Sequence, residues 1–233
     1  MSSPKIPTGA VGRIDTGALR PESVVFSFSL DSFRITDTRS RHEDTDYASI
    51  TLQLKSANSA TEPQTLTKKI GDVNNGTHAV GLSFPNIHVD PSQTVVFNYL
   101  IVNTGHKDEG AVYQGLEKAG SALANKGLTA GGTALGTLIL PGLGTILGAI
   151  GGFLADEIGS WLSADCDGPV AAEQITLTYA DLVAKTASGT YSNETKNPGT
   201  DSAWGCGSNS MYYVDWHIAK TVVPAPRPVM TTG

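Results

Sequence analysis

The chain has 233 residues, which is enough for one large or two small domains with a hydrophobic core. Its formal net charge of −6 excludes a general nucleic-acid binder, because phosphate contacts require clustered Lys and Arg. Only 16% of the residues are charged, whereas 26 are glycine. This composition favours an all-β protein with many turns, or a protein that packs against copies of itself.

The two ends of the chain are predicted to be extended. Residues 1–22 are rich in Pro, Gly and Ser and lack the apolar stretch of a secretory signal peptide, so we interpret them as an N-terminal arm. An intracellular or vacuolar location is therefore expected, and the glycosylation sequons at Asn75 and Asn193 are interpreted as coincidental. Residues 224–233 are rich in proline and are predicted to form an extended tail.

Five strands are predicted before residue 106. "VVFSFSL" (24–30) has the alternation of a strand with one buried face, and "SFRIT" continues it after a break at Asp31-Ser32 that is typical of a bulge. "YASITLQLK" (47–55) follows the same alternation. The residues predicted to face the core from these two strands are Val24, Phe26, Phe28, Leu30, Ala48, Ile50, Leu52 and Leu54.

The next predicted strands form a hairpin and a central strand. "TLTKKIGDVNNGTHAVGLSF" (65–84) contains two strands joined at Asn74-Asn75-Gly76, because Asn and Gly tolerate the positive φ of a tight turn. "QTVVFNYLIVN" (93–103) is apolar on both faces, which places it in the middle of a sheet.

The pattern becomes helical after residue 106 and returns to β after residue 165. Val112, Leu116, Ala119 and Leu123 are spaced by three or four residues, which predicts a helix. Later, "AEQITLTYADLVA" (172–184) alternates at Ile175, Leu177 and Tyr179 and is predicted as a strand. "MYYVDWHIAKTVV" (211–223) is predicted as another strand, and "YSNETKNPGTDSAWGCGSNS" (191–210) as a long loop.

These elements predict a mainly β fold with an inserted helical hairpin. Residues 23–106 and 166–223 are expected to form one antiparallel β-sandwich, either Ig-like or jelly-roll-like. The hairpin is expected at 107–165.

The stretch "GLTAGGTALGTLILPGLGTILGAIGGFLA" (127–155) contains no charged residue. The Pro141-Gly142 pair is expected to divide it into one helix that ends near Leu140 and another from about Leu143 to Ser163, because proline disrupts a helix interior. Glycines four residues apart line one helix face and allow another backbone to approach closely. The predicted packing glycines are Gly132, Gly136, Gly144, Gly148 and Gly152.

Two interpretations of this glycine-zipper hairpin remain open. A helix that is apolar on all faces is buried either in protein or in a membrane. The hairpin would then pack against the sandwich or neighbouring subunits, or it would insert into a membrane as the hairpins of pore-forming proteins do. Each half is too short to span a bilayer alone, since a spanning helix needs about 20 residues.

The polar segment "RSRHEDTDY" (39–47) contains the metal-ligand candidates of the sequence, and the signal is weak. Glu43, Asp44 and Asp46 are carboxylates of the kind that bind Ca²⁺, but their spacing does not match an EF-hand loop. A solvated loop with Arg–carboxylate pairs explains the segment equally simply. No metal or other cofactor is therefore expected. A calcium-binding or carbohydrate-binding module remains an alternative function, the latter because exposed Trp side chains stack on sugars.

No pattern of known catalytic chemistry occurs in the sequence. The five histidines are scattered, and HExxH, GxSxG, GxxxxGK[ST] and strand-linked GxGxxG patterns are absent. Cys166 and Cys206 do not form a CxxC pair, so they are interpreted as two buried thiols or as partners in a disulfide within or between chains. We therefore expect a non-enzymatic protein.

The strings "DTRSRHEDTDY", "GDVNNGTH" and "CDGPV" resemble an uncharacterised family from bacteria and some fungi, with which octin, the protein of vacuolar crystals in certain fungi, is associated. This resemblance implies a self-assembling, disulfide-sensitive crystal protein whose partners are copies of itself. It also implies that Cys166 and Cys206 are the bridging residues.

Overall fold

The computed structural model describes residues 23–38, 44–104, 108–126, 168–198 and 210–223. Within these ranges the chain forms nine strands and two helices. The strands are β1 (Ser23–Asp37), β2 (Asp44–Ser56), β3 (Ser59–Ala60), β4 (Gln64–Val73), β5 (Gly76–His88), β6 (Thr94–Thr104), β7 (Gly168–Thr178), β8 (Thr190–Pro198) and β9 (Met211–Val223). The helices are α1 (Glu109–Lys126) and α2 (Tyr179–Lys185).

The strands form two sheets in which every described pair is antiparallel. The first sheet has the order β5-β1-β9-β8. The second has the order β3-β2-β6-β7, and β4 also pairs with β2. The prediction of a mainly β, antiparallel fold is therefore confirmed. The central position predicted for "QTVVFNYLIVN" is also confirmed, because β6 lies between β2 and β7.

A single hydrophobic core joins the two sheets. Phe28 of the first sheet lies 5.7 Å from Phe97 of the second, centroid to centroid, and Phe97 lies 6.2 Å from Trp216 of the first. All eight core residues predicted on β1 and β2 belong to this core or pack against it. The predicted bulge is confirmed, since the β1 register shifts between Leu30 and Ser32.

The turn prediction is confirmed as well. β4 ends at Val73 and β5 begins at Gly76, so Asn74 and Asn75 connect the two strands. Gly76 has a φ of +138°, a conformation that favours glycine.

Two predictions between residues 179 and 198 are wrong. The strand predicted through "YADLVA" ends at Thr178, because Thr178 and Asp181 form a capping box that starts α2. The loop predicted from Tyr191 onward begins instead with β8, which pairs with β9 along its whole length. The inward positions of β8 are largely polar, so this strand lacks the hydrophobic alternation on which the prediction depended.

The insertion begins with the predicted helix. The stripe formed by Val112, Leu116, Ala119 and Leu123 is buried on α1, which confirms that prediction. The N-terminal arm, the glycine-zipper hairpin beyond Lys126 and the proline-rich tail lie outside the described residues. No helix within the described ranges combines the length and apolar character needed to cross a membrane.

Candidate functional site

Helix α1 is the last described element before the uncharged stretch at 127–155, and its surroundings form the candidate site. The helix starts at an N-cap, where the Ala111 N–H donates to Asp108 Oδ1 at 2.9 Å. It lies on the outer face of the second sheet, in contact with β2, β4 and β6. We call the residues of that face beneath the helix the α1 seat.

One part of the α1 seat is apolar. Val112, Leu116 and Ala119 of the helix are fully buried in a small cluster with residues of β2, β6 and β7. Burial of large aliphatic side chains stabilises such a contact by about 1.5–3 kcal/mol each. The strand residues of the cluster are Tyr47, Leu100, Val102 and Ala172.

The helix lies very close to β2 at Gly120. A Cβ atom at this position would overlap Thr51 Oγ1 and lie 3.2 Å from Thr51 Cβ. The Gly120 carbonyl also accepts a hydrogen bond from Asn98 Nδ2 at 3.3 Å. A side chain here would therefore push the helix away from β2.

The part of the α1 seat below the helix C-terminus is polar. Lys55 Nζ donates to the Ala124 carbonyl, and Gln174 Nε2 donates to the Leu123 carbonyl at 2.6 Å. Both donors therefore bond to backbone carbonyls in the last described turn of α1. Burial lowers the pKa of Lys55.

The first turn of α1 is held by a second polar cluster. Glu109 accepts a hydrogen bond from the Tyr113 hydroxyl at 2.8 Å and forms an ion pair with Lys69 of β4 at 3.5 Å. Tyr47 and then Glu109 raise the pKa of Lys69. The hydrogen bond with Glu109 raises the pKa of Tyr113. The first and the last described turn of α1 therefore both contact the second sheet through polar side chains. Hydrophobic periodicity in the sequence does not identify these side chains.

A buried carboxylate links the two sheets at Asp46. Its Oδ2 accepts a hydrogen bond from the Tyr212 hydroxyl at 3.0 Å, and its Oδ1 accepts one from Asn103 Nδ2 at 3.2 Å. Asp46 is fully buried. In this arrangement the side chain joins β2 to β6 and β9.

A second buried carboxyl, Glu173, projects from β7 into the core. Its Oε2 accepts hydrogen bonds from Thr195 Oγ1 at 2.6 Å and from Trp216 Nε1 at 3.1 Å. Its Oε1 is buried without a hydrogen-bond partner. Burial raises the pKa of Glu173, and hydrogen bonds from Thr195, Tyr99 and Trp216 offset part of this effect.

The outer face of the first sheet carries an Asp–His pair on β1 and β9. His217 Nδ1 lies 2.7 Å from Asp31 Oδ2, and both side chains are partly exposed. Ser29 is the strand partner of His217, but its hydroxyl bonds to Ser83 at 2.8 Å. An Asp–His pair can orient an imidazole as a general base. A nucleophile would also require a hydroxyl that is hydrogen-bonded to the imidazole, and the Ser29 hydroxyl is bonded to Ser83 instead.

The site residues predicted from the sequence fall mostly outside the described ranges. This applies to the glycines Gly132, Gly136, Gly144, Gly148 and Gly152, to Cys166 and Cys206, and to Glu43. Asp44 begins β2, and Asp46 is buried at the contact between the sheets. Within the part of the chain that the structure describes, no three His, Cys, Asp or Glu side chains are grouped to hold a metal ion.

Comparisons of the chain with protein-family models, with curated proteins and with solved structures found no match.

Proposed function

We propose that the chain is a non-enzymatic structural protein that assembles with copies of itself into an oligomer, lattice or crystal. In this proposal the two sheets are an Ig-like or jelly-roll-like β-sandwich that carries a glycine-zipper hairpin at 107–165. Copies associate through the hairpin glycines and through exchange of the arm at 1–22, with disulfides at Cys166 and Cys206 as a further link. The resemblance to the octin-associated family agrees with this function.

The observation that carries the proposal is the polar character of the described surface. Its exposed large apolar side chains are few, and they are distributed over β4, α2 and the end of β9. They are Leu66, Val183, Val222 and Val223. In this proposal the uncharged stretch at 127–155 buries its apolar faces against a second copy of the same stretch, which offers a matching surface.

The attachment of α1 supports the same function. The helix is fastened at both ends and leads directly into residue 127. Among the described residues, the core between the sheets is formed by residues of the strands and α2, together with Val89. The sandwich is thus expected to act as a rigid carrier whose fold does not require the packing glycines.

Gly148→Leu is expected to weaken assembly by about five- to 150-fold. A bulky side chain does not fit a close helix crossing, and overpacking costs about 1–3 kcal/mol. Sedimentation velocity over a range of protein concentrations would measure the effect. Ala149→Leu is the matched control, because it adds the same side chain on a different helix face.

Equal sedimentation of the Gly148→Leu variant, the Ala149→Leu control and the natural chain would contradict the zipper. Circular dichroism would show whether the sandwich remains folded, so that loss of assembly is distinguished from unfolding.

Reduction is expected to shrink the assembled species without dissociating them completely. Disulfides between chains would break, whereas helix packing and arm exchange would persist. Sedimentation velocity with and without dithiothreitol measures this, and the Cys166→Ser and Cys206→Ser variants should behave like the reduced protein. Species of one size under all these conditions would exclude disulfides from the assembly.

Membrane insertion is the second candidate function, because lipid also matches an uncharged stretch of apolar residues. Dye release from vesicles of phosphatidylcholine and phosphatidylglycerol tests it. A monomer that releases dye would favour insertion over self-assembly, and a large assembly that leaves vesicles intact would favour the proposal above.

A further inference from the structure

Two edge strands from different sheets meet at a contact that is made by side chains. β7 ends the second sheet and β8 ends the first. The Ala172 N–H of β7 donates to Asn197 Oδ1 of β8 at 3.3 Å, and Thr195 of β8 donates to Glu173 of β7. We call these four residues the β7–β8 seam.

We infer that Glu173 controls the β7–β8 seam by protonation: the neutral carboxyl holds the seam closed, and the carboxylate loosens it. The inference concerns the stability of the sandwich and does not depend on the proposed self-assembly. It rests on the place of the carboxyl between the sheets.

The surroundings of Glu173 favour the neutral form. The side chain is 3% exposed and has one oxygen without a partner. The described groups that face it are Thr195 of β8, Trp216 of β9 and Tyr99 of β6, and none of them is a cation. An ionised carboxylate that is buried without a cation is far more costly than a neutral carboxyl in the same place.

The phenol of Tyr99 does not supply a compensating charge. It is fully buried, and burial followed by the proximity of Glu173 raises its pKa well above the ordinary value. Its hydroxyl accepts a hydrogen bond from Asn197 Nδ2 at 3.3 Å. The phenol therefore brings no compensating charge to the seam, and ionisation of Glu173 would leave a negative charge without a counterion between β7 and β8.

The direction of the pH effect follows from the raised pKa of Glu173. A raised pKa means that the folded protein retains a proton that the unfolded chain releases above a pKa of about 4.3. The stabilisation is complete below the unfolded pKa and is lost as the pH rises through the folded-state pKa. A lower pH should therefore favour the closed seam, and a pH above the folded-state pKa of Glu173 should loosen it.

Urea unfolding of the natural chain and of Glu173→Gln between pH 4 and 8 tests the inference. Gln has nearly the shape of Glu but does not ionise. The unfolding constant of the natural chain, divided by that of Glu173→Gln, should rise with pH by up to about tenfold per pH unit. This rise should occur between the unfolded-state and the folded-state pKa of Glu173 and then level off. Glu62→Gln, at an exposed position, removes the same charge and should leave the pH profile unchanged.

A local measurement distinguishes the seam from the whole fold. At a pH where the unfolding profile has levelled off, amide hydrogen exchange over 168–178 and 190–198 should be slower in Glu173→Gln than in the natural chain. Thr195→Val provides a second test, because loss of its hydrogen bond should raise the pKa of Glu173 further and extend the pH-dependent window upward. A constant ratio of unfolding constants across this pH range, or unchanged exchange in the seam, would overturn the inference.

Discussion

Gly120→Ala is expected to lower the free energy of unfolding by about 2 kcal/mol, because overpacking of a close contact costs about 1–3 kcal/mol. In an unhindered helix the same change stabilises by about 1 kcal/mol, so the predicted sign is the reverse of helix propensity. The physical reason is the overlap between the added Cβ and Thr51 Oγ1. Urea unfolding followed by circular dichroism measures the change.

A double-mutant cycle makes the cause of this loss testable. Thr51→Ala removes the oxygen that the new Cβ would meet, so Gly120→Ala should cost less in that background than in the natural chain. Gly110→Ala, in the exposed first turn of the same helix, tests propensity apart from the sheet contact. Additive effects of Thr51→Ala and Gly120→Ala would show that the helix is not held against β2 at this point.

The strands of the core were predictable because their pattern is physically simple. β1 and β9 place large apolar residues on one face, so a period of two identifies both the strand and its buried side. The helical stripe of α1 is equally regular, and its four predicted residues are all buried. In these elements, hydrophobic burial alone determines which face points inward.

The missed features depend on polar groups that find partners only in the folded chain. Asn197 of β8 is buried among Tyr99, Ala172 and the carbonyl of Thr195, so a strand with polar inward positions is stable. Glu173 and Lys55 are ordinary charged residues in the sequence and become buried through contacts with distant segments. Hydrophobic periodicity has no means of identifying them.

The α2 boundary illustrates a different limit. Ile175 and Leu177 point into the core as the strand alternation predicted, and Tyr179 also packs against the core, but from the first turn of a helix. The sequence does contain the relevant signal, since Thr178 and Asp181 have the spacing of a capping box. Alternation therefore gave the correct buried face and the wrong element, because a capping interaction ended the strand.

Tyr212→Phe is expected to destabilise the fold by about 2 kcal/mol, since removing one partner of a buried hydrogen bond costs about 1–3 kcal/mol. Phe preserves the ring contact with Phe33, at 5.6 Å between centroids, and removes the hydroxyl that donates to Asp46. The measurement is the free energy of unfolding in urea.

Tyr213→Phe is the matched control for this change. Tyr213 follows Tyr212 on β9 but points to the opposite face, where the Arg34 guanidinium lies 4.1 Å from its ring centroid. That contact does not require the hydroxyl, so the free energy of unfolding should change by less than about 0.5 kcal/mol. If both substitutions have equal effects, the hydroxyl bond to Asp46 does not stabilise the contact between the sheets. A loss confined to Tyr212→Phe would mean that the hydrogen bond from the Tyr212 hydroxyl to Asp46 helps to hold β9 against β2.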